Sequence, residues 1–380
     1  MAAYVMAAGA KTPDKVALKV VGLSGVEQVW RYDALRRAIL GVATGLLRKG
    51  LSPGNIVLMR LGNTVDFQLA YLGALAAGCV PVPTSSALTE HEVQSIINEL
   101  RPSAILRDPE VPCPADTATV ALNELRGFYD LPPAQPDMGD PDRLGYIVYT
   151  SGTSGQPRAV AHAHRAIWAR RMMFDGWYGL TPSDCVMHAG AFNWTYTLGT
   201  GLMDPWTIGA VAVIPAVGTR PADLPQLMRE HDVTIFAAAP GVYRQMLDHA
   251  ADPSVLSLRH GLSAGEKLPD ITRDRFREKT GLNIYEAYGM SECSTFISQA
   301  PGDNAPPNTL GQPQAGRRVA LLRDGKPVPK GEEGTIAIHK SDPGLMLGYF
   351  NAASETEERF CRDWFLTGDQ GAMDAAGFIS

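Results

Sequence analysis

The sequence has few cysteines and no pair of them at metal-binding spacing. Its five cysteines (Cys79, Cys113, Cys185, Cys293 and Cys361) are scattered over 380 residues, and none belongs to a CxxC pair. This pattern excludes a disulfide framework and a zinc ribbon, and it is typical of a protein from a reducing compartment. We therefore expect a cytoplasmic protein.

The sequence also lacks an excess of positive charge and a long hydrophobic run. Its formal net charge is -6, whereas a nucleic-acid or membrane-surface protein needs a basic face. The longest apolar run, residues 71–83, is too short to span a bilayer and contains proline. Residues 1–10 have no basic residue ahead of their apolar stretch, which argues against a signal peptide. We therefore expect no nucleic-acid or membrane partner. The sequence is compatible with a homodimer but contains no feature that indicates one.

Strand-like and helix-like segments alternate along most of the chain, which favours parallel sheets covered on both faces. The predicted strands are residues 15–18, 56–59, 80–83, 103–106, 145–149, 185–188, 210–214, 233–238 and 283–288. The predicted helices are residues 32–49, 65–77, 164–173, 222–230, 241–250 and 268–279, with a further helix capped by Thr89 and Glu92.

The pattern changes from about residue 302 onward. Short strands at 319–322 and 335–338 are separated by turns rich in proline and glycine, with no helical pattern before residue 353. We predict an α/β fold of layered, mostly parallel β-sheets flanked by helices, plus a small distorted antiparallel β-barrel subdomain. The expected domains are 1–300, with two sheet subdomains, and 301–380.

One segment, between the strand at 145–149 and the helix at 164–173, is rich in hydroxyl groups and glycine. Glycines let backbone N–H groups face an anion, hydroxyls donate to phosphate oxygens, and a helix start adds a positive dipole end. We predict a polyphosphate loop closed by Arg158, although an ordinary turn uses the same residue types. The missing Gly-Lys-Ser/Thr ending excludes a Walker loop. The loop residues are Thr150, Ser151, Gly152, Thr153, Ser154 and Gly155.

Three later segments place carboxylates after strand-like runs or in a turn. Such carboxylates suit two tasks, which are holding Mg²⁺ together with phosphate oxygens and accepting hydrogen bonds from ribose hydroxyls. Taken singly, Glu292 fits a surface charge and Asp369 fits a turn, so only their joint presence favours a nucleotide site. The segments are Ser263-Ala264-Gly265-Glu266-Lys267, Tyr285-Glu286-Ala287-Tyr288-Gly289-Met290-Ser291-Glu292 and Leu366-Thr367-Gly368-Asp369.

Together these segments resemble the core motifs of the adenylate-forming superfamily of acyl-CoA synthetases, luciferases and peptide-synthetase adenylation domains. The resemblance covers nearly the whole chain and is nearest to aryl- and medium-chain acyl-CoA ligases. The loop matches over residues 150–158, with Arg158 in place of Lys and Ala159 in place of Gly. The Tyr-Gly-x-Thr-Glu signature appears at residues 288–292 with Ser291 in place of Thr, and residues 348–349 match a Gly-Tyr ahead of the last core motif.

The resemblance implies ATP, Mg²⁺ and CoA as cofactors and co-substrate, and it implies individual roles. Tyr288 stacks on adenine, Ser291 touches the α-phosphate, Glu292 holds Mg²⁺ and Asp369 binds ribose. Thr150, Arg158 and Glu292 form the implied catalytic set. The other implied nucleotide-binding residues are Gly265, Glu266, Lys267, Glu286, Ala287 and Gly289.

The implied reaction has two steps, in which a carboxylate attacks the α-phosphate of ATP and a thiol, that of CoA, then takes the acyl group. Positioning and charge neutralisation are the protein's main tasks in the first step. Members of the family continue past the position of residue 380 into a small domain that carries the adenylation lysine. We therefore expect this chain alone to bind nucleotide but to adenylate poorly. One alternative is an adenylation domain or acyl-AMP ligase that loads a carrier protein, and another is a catalytically silent nucleotide binder.

The acid is expected to be aromatic or of medium chain length. Amino-acid-activating relatives clamp the ammonium with an Asp at the position of Tyr196, and a buried ammonium without a carboxylate lacks a partner. Aromatic side chains offer a flat apolar wall and small residues leave depth, although the same aromatics fit a packed core nearly as well. The predicted pocket residues are Trp194, Tyr196, Gly201, Ala239, Pro240, Ser263 and Ala264.

A serine hydrolase is a rival interpretation. Residues 261–265 match Gly-x-Ser-x-Gly with Ser263 as nucleophile, and His339 is the only histidine that follows. Because His339 falls within a predicted barrel strand, we disfavour this hypothesis.

Overall fold

The protein is a mixed α/β fold, described by a computed structural model over residues 1–114, 119–150 and 157–380. The strands are β1 Val16–Gly22, β2 Gly25–Arg31, β3 Ile56–Arg60, β4 Val80–Pro83, β5 Ala104–Arg107, β6 Thr119–Ala121, β7 Leu144–Thr150, β8 Arg158–Ala163, β9 Cys185–His188, β10 Val211–Pro215, β11 Ile235–Ala237, β12 His260–Ala264, β13 Ile284–Met290, β14 Ser294–Ser298, β15 Gln312–Pro313, β16 Val319–Arg323, β17 Lys326–Pro327, β18 Glu333–His339, β19 Gly348–Tyr349, β20 Phe360–Cys361 and β21 Trp364–Ala372. The α-helices are α1 Ala2–Met6, α2 Tyr32–Arg48, α3 Asp66–Ala76, α4 Glu90–Leu100, α5 Leu122–Gly127, α6 Ala166–Ala169, α7 Asp204–Ile208, α8 Leu224–Glu230, α9 Pro240–His249, α10 Asp270–Thr280 and α11 Ala353–Glu358. Two π-helical segments cover Phe174–Tyr178 and Thr197–Met203.

The chain divides into two compact units. The first comprises residues 1–164 and 188–218, and the second comprises residues 165–187 and 219–380. The predicted domain boundary at residue 300 stays a prediction.

The first unit contains a four-stranded parallel sheet in the order β4-β3-β5-β6. Helix α3 is buried along its whole length, and a side chain at Gly73 would place its Cβ 2.4 Å from Val42 Cγ1 on α2. Glycine therefore lets α2 and α3 pack closely. The strand–helix alternation predicted for residues 56–106 is confirmed, and Thr89 and Glu92 form the predicted capping box at the start of α4.

A second set of strands in this unit contains one element that the sequence analysis missed. Strand β1 pairs in parallel with β10 and in antiparallel with β2. Strand β2 has mostly exposed residues, among them Val26 and Val29. An edge strand of this kind lacks the apolar alternation that predicts a half-buried strand.

The helix predicted at residues 164–173 is present only in part, and it does not directly follow the phosphate loop. Residues 158–163 form strand β8, which pairs in antiparallel with β7, and helix α6 begins only at Ala166 and has four residues. Residues 159–163 are all buried, so this run of small residues forms a two-sided interior strand. The expected helix dipole at the end of the loop therefore does not contribute.

The second unit is built on a sheet whose strands lie in the order β9-β11-β12-β13-β14-β15. Strands β11, β12 and β13 run parallel, whereas β14 and β15 continue the sheet in antiparallel. The predicted helices at 222–230, 241–250 and 268–279 appear as α8, α9 and α10, and α10 ends at Gly281 in the left-handed conformation with φ 74°.

Asp184 fixes the start of β9 to its neighbours in the second unit. Its carboxylate accepts hydrogen bonds from Thr181 N at 2.7 Å, Thr234 Oγ1 at 2.6 Å and Arg259 Nη2 at 2.8 Å. Burial alone would raise the pKa of Asp184, but these hydrogen bonds outweigh burial and hold the pKa below its ordinary value. The carboxylate is therefore a charged anchor for this part of the sheet.

A five-stranded antiparallel sheet in the order β17-β16-β18-β21-β20 follows in the second unit. It curls into a half-barrel, with a bulge between β18 and β21. The predicted fold class, mostly parallel sheets with helices plus a barrel-like antiparallel part, is confirmed.

Candidate active site

The two ends of the predicted phosphate loop are held at the last rung of the β7–β8 hairpin. Thr150 on β7 lies opposite Arg158 on β8, and both are half-buried. The loop residues Ser151, Gly152, Thr153, Ser154 and Gly155 lie outside the described residues. Antiparallel pairing thus brings Thr150 and Arg158, two members of the predicted catalytic set, side by side.

The carboxyl ends of β12 and β13 bring two of the predicted segments to the same edge of the sheet. Ser263 pairs with Glu286 and Ala264 pairs with Ala287, and both pairs are in parallel register. Beyond β12, Gly265 adopts φ 97°, a conformation that favours glycine. Gly265, Glu266 and Lys267 are exposed there, and their contact with a nucleotide stays a prediction.

Glu286 anchors the turn that follows β12. Its buried carboxylate accepts from Leu268 N and from Arg273 Nη2, both at 2.8 Å. Burial raises the pKa of Glu286, and the hydrogen bonds from Leu268 and Arg273 oppose that rise. Both carboxylate oxygens are thus engaged within the protein, so Glu286 shapes residues 265–268 from beneath.

Tyr288 and Asp369, 81 residues apart in the chain, meet through a short hydrogen bond. The Tyr288 hydroxyl donates to Asp369 Oδ2 at 2.5 Å. Burial and the Asp369 carboxylate raise the pKa of the phenol, which therefore stays protonated as a donor. Asp369 is exposed, and its backbone N–H donates to Thr367 Oγ1 at 3.1 Å. The residues predicted to contact adenine and ribose are therefore neighbours.

Glu292 lies in the tight turn between β13 and β14. Its side chain is buried, and Oε1 accepts from the Tyr349 hydroxyl at 2.7 Å. Ser291 is exposed on the same turn. Gly289 precedes the turn at a point where a Cβ would lie 2.2 Å from Ser294 O, so glycine is required for the two strands to approach. The contact with Tyr349 was not predicted from the sequence, where Tyr349 appeared only as part of a Gly-Tyr motif.

The donor chemistry of Glu292 fits Mg²⁺ held partly by a nucleotide. Within the described residues there is no group of three or more His, Cys, Asp or Glu side chains that could hold a metal ion. Mg²⁺ commonly takes one or two carboxylates and completes its shell with substrate phosphate oxygens and water. With Oε1 occupied by Tyr349, Glu292 has a second oxygen to offer as such a single carboxylate ligand.

The predicted acid-pocket residues fall in both units. In the first unit, Trp194 is 38% exposed and packs edge-on against Tyr196 at 5.1 Å between ring centroids. Tyr196 packs in the same way on His188 at 4.5 Å, and burial lowers the pKa of His188 to about 3. A Cβ at Gly201 would lie 2.6 Å from the His188 Cβ, so Gly201 makes room for this imidazole.

In the second unit, the four predicted pocket residues lie on two elements of the parallel sheet region. Pro240 starts helix α9 directly after Ala239, while Ser263 and Ala264 are buried at the end of β12. The pocket as a whole stays a prediction.

The geometry contradicts the hydrolase hypothesis. Ser263 lies within strand β12 in regular register, whereas a nucleophile elbow needs a sharp strand-to-helix turn. The Ser263 side chain is fully buried. His339 bonds to Ser341 and packs on Trp364 at 4.9 Å, so it does not serve Ser263.

The fold and the sequence motifs are those expected of an enzyme class that binds adenosine nucleotides. The family model described as AMP-binding enzyme matches residues 5–350. The chain therefore belongs to the AMP-binding enzyme family, and the resemblance to the adenylate-forming superfamily is confirmed.

Two curated relatives agree with this assignment, and two solved structures agree with the fold. The chain is 28% identical to acyl-coenzyme A synthetase ACSM3, mitochondrial, of Pongo abelii, over 97% of this chain and 68% of that protein. It is 28% identical to benzoate–CoA ligase of Thauera aromatica, over 99% of this chain and 71% of that protein. Among solved structures, VinN has a TM-score of 0.88 at 24% identity, covering 100% of this chain and 97% of VinN. A benzoate CoA ligase from Burkholderia xenovorans has a TM-score of 0.87 at 24% identity, covering 100% and 78%.

Proposed function

We propose that this protein activates a carboxylic acid, aromatic or of medium chain length, with ATP and transfers the acyl group to CoA. The observation that carries the proposal is the grouping of Tyr288, Asp369 and Glu292 within one unit, where the first two share a hydrogen bond. Tyr288 would stack on the base, Asp369 would accept from the ribose, and Glu292 would hold the metal ion. Family membership and the acyl-CoA and benzoate–CoA ligases among the relatives support the reaction class.

In the first step, a carboxylate oxygen of the acid forms a bond to the α-phosphorus of ATP. The bond from that phosphorus to the bridging oxygen breaks, and pyrophosphate leaves with the electron pair. We assign Thr150 and Arg158, which pair at the end of the hairpin in the first unit, to the phosphates as a hydroxyl donor and a cation. Mg²⁺, when bound through Glu292, would neutralise phosphate charge. In the second step, the CoA sulfur attacks the acyl carbon, AMP leaves and the thiol proton is lost.

The acid class rests on the aromatic cluster in the first unit. Trp194 and Tyr196 present edge-packed rings, and such rings offer apolar surface for an aryl or alkyl group. A cytoplasmic location, which five free cysteines support, and a homodimer are further parts of the proposal. Among the described residues, the structure contains no helix that is long and apolar enough to cross a membrane.

Thermal unfolding with non-hydrolysable adenylate analogues tests the proposal. Benzoyl-sulfamoyl and hexanoyl-sulfamoyl adenosine mimic the two expected acyl-adenylates. A ligand at about a hundred times its Kd should stabilise the folded state by roughly 2.7 kcal/mol. We expect the stabilisation to be lost in Asp369→Ala and retained in Glu278→Ala, which removes an exposed carboxylate on α10.

The better of the two analogues would identify the acid class as aromatic or aliphatic. The absence of any shift with both analogues, and also with ATP and Mg²⁺, would refute the proposed function.

A further inference from the structure

A fully buried ion pair lies beside the turn that carries Glu292. Arg317 Nε donates to both carboxylate oxygens of Asp342 at 3.1 Å, and both side chains are 0% exposed. Removing two charges from water costs several kcal/mol per ion, and hydrophobic residues of similar volume would often serve stability as well. The pair therefore calls for an explanation beyond stability.

The remaining N–H groups of Arg317 hold the backbone directly after Glu292. Nη2 donates to Cys293 O and Nη1 donates to Thr295 O, both at 3.0 Å. Between these two carbonyls Ser294 adopts a positive φ of 58°, a conformation that non-glycine residues rarely adopt. The guanidinium thus fixes a strained backbone segment next to the predicted metal ligand.

Asp342 holds a second segment against the same guanidinium. Its oxygens accept from Arg318 N at 2.7 Å and from Gly344 N at 2.8 Å. A Cβ at Gly344 would lie 2.6 Å from Arg317 Nη2, so only glycine allows the chain to pass this close. Residues 342–349, which we call the strap, therefore begin at a fixed point.

The strap then returns to Glu292 and binds it at two places. Met346 N donates to the Glu292 backbone carbonyl at 2.8 Å, and the Tyr349 hydroxyl donates to Glu292 Oε1 at 2.7 Å. The backbone and the carboxylate of one residue are thus both held by the same eight-residue segment. A carboxylate held in this way keeps one orientation and loses little conformational entropy when it binds a cation.

We propose that Arg317, Asp342 and Tyr349 are positioning residues that orient the Glu292 carboxylate for the Mg²⁺ of bound ATP. This inference rests on the proposed function, because it assumes that Glu292 is the metal carboxylate. It assigns no contact between the three residues and the substrate. Their effect is on how strongly Mg²⁺ improves ATP binding.

The test is calorimetric titration of the chain with ATP, once with Mg²⁺ and once with EDTA. The ratio of the two dissociation constants measures the gain from Mg²⁺. Arg317→Met combined with Asp342→Leu removes both charges together, so that neither charge is left buried and unpaired. We expect this paired variant to lower the gain about tenfold, as is typical when partners of a metal ligand are removed, and to leave binding in EDTA unchanged.

The matched control is Arg323→Met combined with Glu332→Leu. This pair lies in the same unit and makes an ion pair of the same kind at 2.8 Å, but both side chains are about half exposed. It should leave the gain from Mg²⁺ at the wild-type value. Equal gains in the control and in the paired variant of Arg317 and Asp342 would overturn the proposal.

Tyr349→Phe keeps the ring and removes only the hydroxyl that holds Glu292. It therefore tests the positioning role if the paired variant does not fold. A gain equal to wild type in Tyr349→Phe would then refute the proposal. Glu292→Gln separates the inference from the proposed function. If Glu292→Gln keeps the full gain in ATP affinity from Mg²⁺, Glu292 is not the metal carboxylate. If Glu292→Gln loses the gain while the variants of Arg317, Asp342 and Tyr349 keep it, the positioning role is wrong.

Discussion

The hydrogen bond between Tyr288 and Asp369 leads to a quantitative prediction of nucleotide affinity in two variants. Tyr288→Phe retains the ring, and with it any stacking on adenine, but removes the donor to Asp369 Oδ2. Without this bond the Asp369 carboxylate is no longer held in one orientation, and ordering a side chain on binding costs about 1 kcal/mol, so we expect AMP to bind roughly fivefold more weakly. Asp369→Ala removes a charged acceptor, which is worth about 1.5–3 kcal/mol, and should weaken binding by roughly tenfold or more.

A double-mutant cycle separates a direct role of the Tyr288 hydroxyl from an indirect one. If the hydroxyl acts only by orienting Asp369, then Tyr288→Phe has no further effect once Asp369→Ala is present. The coupling energy should then equal the whole effect of Tyr288→Phe, about 1 kcal/mol. A purely direct contact with the nucleotide would give a coupling energy near zero.

Calorimetric titration with AMP near neutral pH measures all four corners of the cycle. AMP needs no acid, no thiol and no catalytic lysine, so the assay reports the adenosine site alone. Additive losses in the double variant would refute the positioning role of Tyr288. Unchanged AMP affinity in Asp369→Ala would refute the assignment of Asp369 as the ribose acceptor.

Three other predictions concern stability and backbone fit. Because the folded-state pKa of Asp184 is depressed, its stabilisation exists above the ordinary pKa of about 3.9 and is lost as pH falls through the folded value. Asp184→Asn should therefore lower the free energy of unfolding by about 2 kcal/mol at neutral pH, a value at the low end because Arg259 is partly exposed. In acid the same substitution should cost almost nothing. Urea unfolding at both pH values measures the difference. Thr89→Ala should cost about 1 kcal/mol in the same assay through loss of the helix cap. Gly289→Ala should lower the free energy of unfolding by about 1–3 kcal/mol and weaken AMP binding, because the new Cβ would clash with Ser294 O. Wild-type stability in this variant would contradict the prediction.

Periodicity and chain order were sufficient to predict many of the regular elements, whereas the roles of the nucleotide residues came from the family resemblance. Helices α2 and α4 carry clear apolar stripes, and α4 also begins with a capping box, so their boundaries follow from the sequence. Parallel strands place their carboxyl ends at one edge, so segments after β12 and β13 had to be neighbours. These inferences need only local patterns and one topological rule.

What the sequence could not show depends on contacts between distant residues. Glu292 and Tyr349 are separated by 57 positions, and no local pattern pairs them. Strand β8 was missed because a run of small residues with one histidine carries no clear period, and its partner β7 decides its conformation. The motif around Ser263 illustrates the same point, since three matching residues in a five-residue pattern do not distinguish a strand interior from a turn.

The hairpin that ends at Thr150 and Arg158 has a practical consequence for engineering. Because the last rung pairs these two positions, the intervening loop joins two fixed anchor points and does not depend on a helix start. Because residues 159–163 are buried, the register of β8 is also set by the buried faces of the strand, so we expect β7 and β8 to keep their pairing when the sequence between them is changed. An insertion within β8 is different, because a shift of one residue turns every following side chain to the opposite face. Grafting experiments should thus change residues 151–157 and leave the two anchor residues in place.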